Sequence, residues 1–159
     1  MKNSELRIGN IITLSSPDAE IAIPSMIPFV VFEITFGRCH YIQEIGKPFA
    51  IQYSYPIEWN HVHPIPITPE WLERLGFEKN QYKYEKINLT ETIYTIDVPN
   101  DYGGRIIGSD YNGEFKIRLE GCDEGKVGDF IKYIHQLQNL YHALTGQELT
   151  VKELTPSIS

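Results

Sequence analysis

Few residues of this chain have the types and spacing that chemistry needs. Cys39 and His40 are adjacent, and His61 and His63 stand two apart. On a strand, residues two apart project to one side. His61 and His63 could therefore present two imidazoles together, and a Cys39 thiolate with His40 could complete a zinc-like set. Structural zinc sites usually combine paired cysteines or two tight ligand pairs, whereas this chain has 2 Cys in all. The plainer reading is a group of surface or turn histidines beside Trp59. Cys122 lies in Gly121-Cys122-Asp123-Glu124-Gly125. A nucleophilic cysteine needs an electropositive setting, and the two acids that follow oppose its ionisation. It reads as a loop cysteine. Tyr102-Gly103-Gly104-Arg105 lacks the Lys and Ser/Thr of a phosphate loop and opens no helix. Asp110-x-Asn112-Gly113 has no Glu at calcium-loop distance. No residue is assigned as catalytic, and no cofactor is implied.

The polar side of the last amphipathic segment is unusual. His135, Gln136, Gln138, Asn139 and His142 stand where Lys and Glu normally solvate a helix. Side-chain amides offer directional donors and acceptors without net charge. They either hydrogen-bond adjacent loops and a sheet edge, or form a recognition surface for another chain or a second copy. Tyr53, Tyr55 and Trp59 are candidates for an exposed aromatic patch.

The elements that must position these groups follow from patterning. Residues 11–14 read as a first strand, with Ser15-Ser16-Pro17-Asp18 as a turn cluster. Residues 29–36 (FVVFEITF) form the best strand of the first half, and further strands fall around 39–45 and 49–55. Several short strands with turn signals and no helical period suggest a small bent sheet or an SH3-like β-barrel over residues 1–67. Thr68 can cap a helix that has Pro69 at its first position and Glu70 in its first turn. Gly76 stops that helix after residue 75, and Phe77 can fold back on it. Alternation then marks strands at 81–87, 92–98, 105–111 and 114–120, an antiparallel meander whose last turn is Asn112-Gly113. Phe130, Ile134, Leu137, Tyr141 and Leu144 recur at helical spacing, predicting an amphipathic helix over 129–145 that covers the dry face of the meander. A final strand over 148–152 can join the sheet edge. The expected class is α+β, with residues 1–67 as one module and 68–159 as helix, meander and C-terminal helix, the alternative being that the two form one compact unit.

Three blocks of the chain carry a resemblance. Leu6-Arg7-Ile8-Gly9-Asn10 opens it. Pro64-Ile65-Pro66-Ile67-Thr68-Pro69-Glu70-Trp71-Leu72, with Gly76-Phe77, lies in the middle. Ile131-Lys132-Tyr133-Ile134-His135-Gln136-Leu137-Gln138-Asn139-Leu140-Tyr141, with Ala143-Leu144-Thr145-Gly146, closes it. In this order, over nearly the whole chain, they resemble a family of small uncharacterised proteins abundant in gut Bacteroidetes and in their phages and prophages. The resemblance implies a mobile-element context and transfers no site.

Composition narrows the function classes. Over 159 residues the formal net charge is -7, which argues against nonspecific polyanion binding as the main activity. No apolar run approaches the roughly 20 residues of a membrane span, and Glu5 and Arg7 interrupt any signal-peptide core. The expected setting is the cytoplasm. The leading expectation is a noncatalytic phage or mobile-element accessory protein that binds another protein or itself. The alternatives are a nucleic-acid-binding accessory protein and a metal-dependent hydrolase using the histidine cluster.

Overall fold

The computed structural model describes residues 5–15, 24–35, 38–44, 58–85, 89–99, 104–111, 114–120 and 131–152. The chain divides into two compact units. The first comprises Met1–Pro66 with Tyr133–Asn139, and the second Ile67–Lys132 with Leu140–Ser159. The fold is α+β, with two antiparallel sheets and one main helix.

The first unit is built on β1 (Ile11–Ser15), β2 (Pro24–Thr35), β3 (Arg38–Glu44) and β4 (Val62–Pro64), in the order β3-β2-β1-β4. Among the described residues neither sheet closes, so the SH3-like barrel expected for residues 1–67 is met instead by an open four-stranded sheet. The strand expected at 49–55 lies outside the described residues. β2 begins earlier than its apolar run suggested and takes in Pro24 and Pro28. Proline lacks the N–H a central strand must donate. It is tolerated here because β3 pairs with β2 only from Phe29 onward, leaving both prolines where β1 is the described neighbour. β1 is central, and both Ile11 and Ile12 are buried although they point to opposite faces. Leu6, Ile12, Phe29, Val31 and Val62 make the core of this unit, with Leu14, Ile34 and Trp59 packed against it.

The second unit opens with α1 (Pro69–Arg74), and its start and stop follow the predicted chemistry. The Thr68 hydroxyl accepts from the Trp71 N–H at 3.4 Å. Hydrogen bonds from the Glu70 backbone and the Thr68 side chain hold the Glu70 carboxyl below its usual range. At the other end Gly76 takes φ +87°, its N–H donates to Glu73 at 3.0 Å, and the Phe77 N–H donates to Leu72 at 2.9 Å. This pair of bonds is a Schellman motif, and Phe77 and Leu72 are both buried.

β5 (Glu78–Tyr84), β6 (Leu89–Val98), β7 (Gly104–Tyr111) and β8 (Glu114–Leu119) form the expected meander in sequential order. Tyr111 pairs with Glu114, leaving Asn112-Gly113 between the strands, though the conformation of that pair lies outside the described residues. Helix and sheet meet at Gly108. A Cβ there would lie 2.7 Å from Phe115 Cε1, 3.0 Å from Leu72 Cδ1 and 3.2 Å from Ile117 Cδ1. Leu72 of α1 thus packs on the face of the sheet that carries Ile117.

The last helix departs from its expected form. α2 is Ile134–Thr145, not 129–145. The apolar spacing runs on through Tyr133, but the backbone there is already committed. Tyr133 bridges Pro66, the Ile134 N–H donates to the Ile65 carbonyl at 2.9 Å, and the Ile67 N–H donates to Lys132 at 3.1 Å. Gln136 caps the true start, its Oε1 accepting from the Tyr133 N–H at 3.3 Å. Nor is α2 simply a cover for the meander, because residues through Asn139 group with the first unit. The segment 148–152 forms no strand. Its Lys152 N–H instead donates to the Arg74 carbonyl at 2.8 Å, and Leu149 is buried. No helix among the described residues is long and apolar enough to cross a membrane.

Candidate functional site

Two polar constellations stand out, both in the first unit. The first joins the opening block of the chain to the first turns of α2. Residues 7–10 make a type II-like turn, closed by the Asn10 N–H donating to the Arg7 carbonyl at 3.1 Å. Gly9 holds φ +91°, a value that the third turn position requires and that glycine adopts without steric cost. Bonds to β2 anchor this turn. The Gly9 N–H donates to Val31 at 2.8 Å, and the Val31 N–H donates to Asn10 at 2.9 Å.

Two amides of α2 seal the other side. Gln138 Oε1 accepts from the Ile11 N–H at 2.7 Å, and its Nε2 donates to the Gly9 carbonyl at 3.1 Å. Asn139 Oδ1 accepts from Arg7 Nε at 3.1 Å and from Asn10 Nδ2 at 2.9 Å, while its Nδ2 donates to the Glu5 carbonyl at 2.8 Å. Asn10 Oδ1 accepts from the Arg7 N–H at 2.7 Å. Gln138 and Asn10 are buried. The clamp leaves Ile8 at the tip of the turn, 56% exposed.

The five polar residues of α2 therefore do not form one outward surface. Gln138 and Asn139 serve the chain's own turn, and Gln136 caps the helix. His142 is half-exposed beside Glu148, with 3.6 Å between Nε2 and Oε1. His135 is fully buried, and neither ring nitrogen has a hydrogen-bond partner among the described residues. It stacks on Tyr133 with ring centres 5.9 Å apart, and its Nε2 lies 3.8 Å from Glu5 Oε2. Burial pushes its pKa below the usual histidine value, against the opposing pull of Glu5.

The second constellation gathers around Ser15. A short 3₁₀ turn, Trp59–His61, leads directly into β4. β4 pairs with β1, setting His63 opposite Thr13. The β1–β2 register slips between Thr13 and Ser15. The outcome is convergence of two imidazoles on one hydroxyl. Ser15 Oγ lies 3.2 Å from His61 Nδ1 and 3.0 Å from His63 Nε2. A hydroxyl has one donor and two acceptor lone pairs, and the direction of each of these bonds follows from the tautomers of the two rings. Ser15 is 4% exposed, while both rings are half-buried. Burial, and to a lesser degree the neighbouring His61, lowers the pKa of His63.

Of the four residues read as a metal set, the structure brings together only His61 and His63. Cys39 and His40 lie in β3, on the opposite edge of the sheet from β4, with β2 and β1 between them. Their side chains lie outside the described residues, as do Tyr53, Tyr55 and Cys122. Among the described residues no group of three or more His, Cys, Asp or Glu could hold a metal ion. Trp59 is half-buried against the core of the first unit rather than displayed as a patch. Sequence reasoning missed Ser15, which is the last residue of β1, as a partner of the two histidines, and it missed Arg7, Gly9 and Asn10 as the partners of the α2 amides; the turn expected at 15–18 continues outside the described residues. The missing Lys and Glu on α2 signalled that its amides had partners but not which ones.

No protein-family model matches this chain, and neither does any curated protein or solved structure.

Proposed function

We propose that this chain is a noncatalytic accessory protein of a phage or mobile element, acting in the cytoplasm by binding another protein through its opening turn. The observation that carries this reading is the presentation of Ile8. An apolar β-branched side chain stands in solvent at the tip of a turn whose backbone is tied to β2 on one side and to α2 on the other. A side chain held in advance loses little freedom when a partner closes over it, so more of its contact energy becomes affinity.

The blocks that carry the resemblance to small phage and prophage proteins also supply this device. Arg7, Gly9 and Asn10 come from the first and Gln138 and Asn139 from the third, joined by hydrogen bonds, while Ile65 of the second accepts from the Ile134 N–H at the start of α2. A shared role in building one presented turn accounts for their co-occurrence without any reactive centre. The net charge of -7 weighs against a nucleic-acid partner.

Affinity capture from phage-infected Bacteroidetes cells tests the reading, using tagged wild type beside Ile8→Asp. Ile8→Asp should keep the wild-type circular dichroism spectrum and lose a specifically retained protein by about tenfold or more, the scale of an interface hot spot. Equal retention by both would remove the turn as the contact. Failure to retain any protein, together with a low-salt DNA shift that fades steeply with added salt, would overturn the class of partner.

A further inference from the structure

We propose that Ser15, His61 and His63 form a binding site for one transition-metal ion of the zinc–nickel–copper class. Two imidazole nitrogens from chain positions two apart approach one atom, lying 3.2 Å and 3.0 Å from the Ser15 oxygen. Metal–imidazole bonds are about 2.0–2.1 Å. Two ligands of one such ion lie roughly 3 Å from each other, the separation that each ring nitrogen already has from the Ser15 oxygen. The Ser15 hydroxyl is the third ligand, and water reaching the partly exposed rings supplies the rest.

The donor set selects the ion. Calcium and magnesium require mostly oxygen ligands, and no carboxylate joins the two histidines in a group of three among the described residues. Imidazole donors suit zinc, copper and nickel. With two nitrogens and a hydroxyl, and no thiolate among the described residues, the site is an open, exchanging one rather than a structural zinc centre. A simpler role, in which the rings only satisfy a buried hydroxyl, predicts no metal affinity and so is separated by experiment.

The test uses the untagged full chain, stripped with chelator and titrated with Cu²⁺ at neutral pH. Calorimetry should show about one equivalent bound, and electron paramagnetic resonance should show nitrogen coordination. His61→Ala and His63→Ala should each weaken binding by about tenfold or more, Ser15→Ala by less, and His142→Ala not at all. Because His63→Ala removes a partner of a buried hydroxyl and could unfold the chain, the wild type carries a second readout. Substoichiometric Cu²⁺ should broaden the imidazole NMR signals of His61 and His63 before those of His40, His135 and His142. Absence of binding would overturn the site, as would first broadening at any other histidine.

Discussion

At the residue scale the most consequential side chain is Gln138. Both ends of its amide engage backbone, at Ile11 and at Gly9. A leucine of similar size would leave a buried N–H and a carbonyl without partners. Gln138→Leu should destabilise the chain by about 2 kcal/mol, the order expected for unmet buried polar groups, as read from urea unfolding. His135 makes a different prediction. Its pKa in the folded chain lies below the ordinary value of about 6.5 because burial disfavours the charged ring. His63 is shifted in the same direction. Between the folded and unfolded pKa values the native chain binds fewer protons than the unfolded one, so stability rises with pH across that window. It is fully present above about 6.5 and is lost as pH falls below. The melting temperature should therefore drop between pH 7.5 and 5.5, and His135→Leu should flatten that drop. A steeper loss in His135→Leu would contradict the burial argument.

At the element scale, two glycines report how closely the second unit is packed. Gly76 ends α1 at φ +87°, and a Cβ there would meet the Lys152 side chain at 2.5 Å. Lysine can swing away, so Gly76→Ala should cost about 1–2 kcal/mol, the penalty of a left-handed non-glycine residue. Gly108 faces Phe115, Leu72 and Ile117, of which Leu72 and Ile117 are buried. Gly108→Val should cost about 2 kcal/mol through overpacking, with thermal unfolding as the measure.

Elements whose causes are local could be read from sequence. Thr68-Pro69 and Gly76-Phe77 bound α1 by neighbouring chemistry, and strict alternation at Tyr94, Ile96 and Val98 marked β6. Where distant segments decide, the reading failed. Helical spacing continues through Tyr133, yet Pro66 takes that residue into a bridge, 67 positions away in sequence. Ser15 looked like a turn residue because nothing near it reveals that β4 will bring His61 and His63 alongside. The amide partners of α2 were hidden for the same reason, since Gln138 and Ile11 lie 127 residues apart.

At the scale of the whole molecule, neither compact unit is a continuous stretch of chain. The first unit includes Tyr133–Asn139 as well as the opening 66 residues. Cutting after residue 67, where composition alone suggested a module boundary, removes Gln138 and Asn139 from the turn they seal. The fragment 1–67 should therefore lack a cooperative unfolding transition, as followed by tryptophan fluorescence in urea. A sharp two-state transition in that fragment would show that the α2 segment is dispensable to the first unit.

The clamp between the opening turn and α2 also sets an order of events during translation. Gly9 and Asn10 leave the ribosome 129 residues before the amides that close over them. A nascent chain must carry its first sheet with one side unsealed until those amides emerge. Loop closure over such separations is slow compared with local pairing, so the meander has time to assemble before the beginning of the chain can lock.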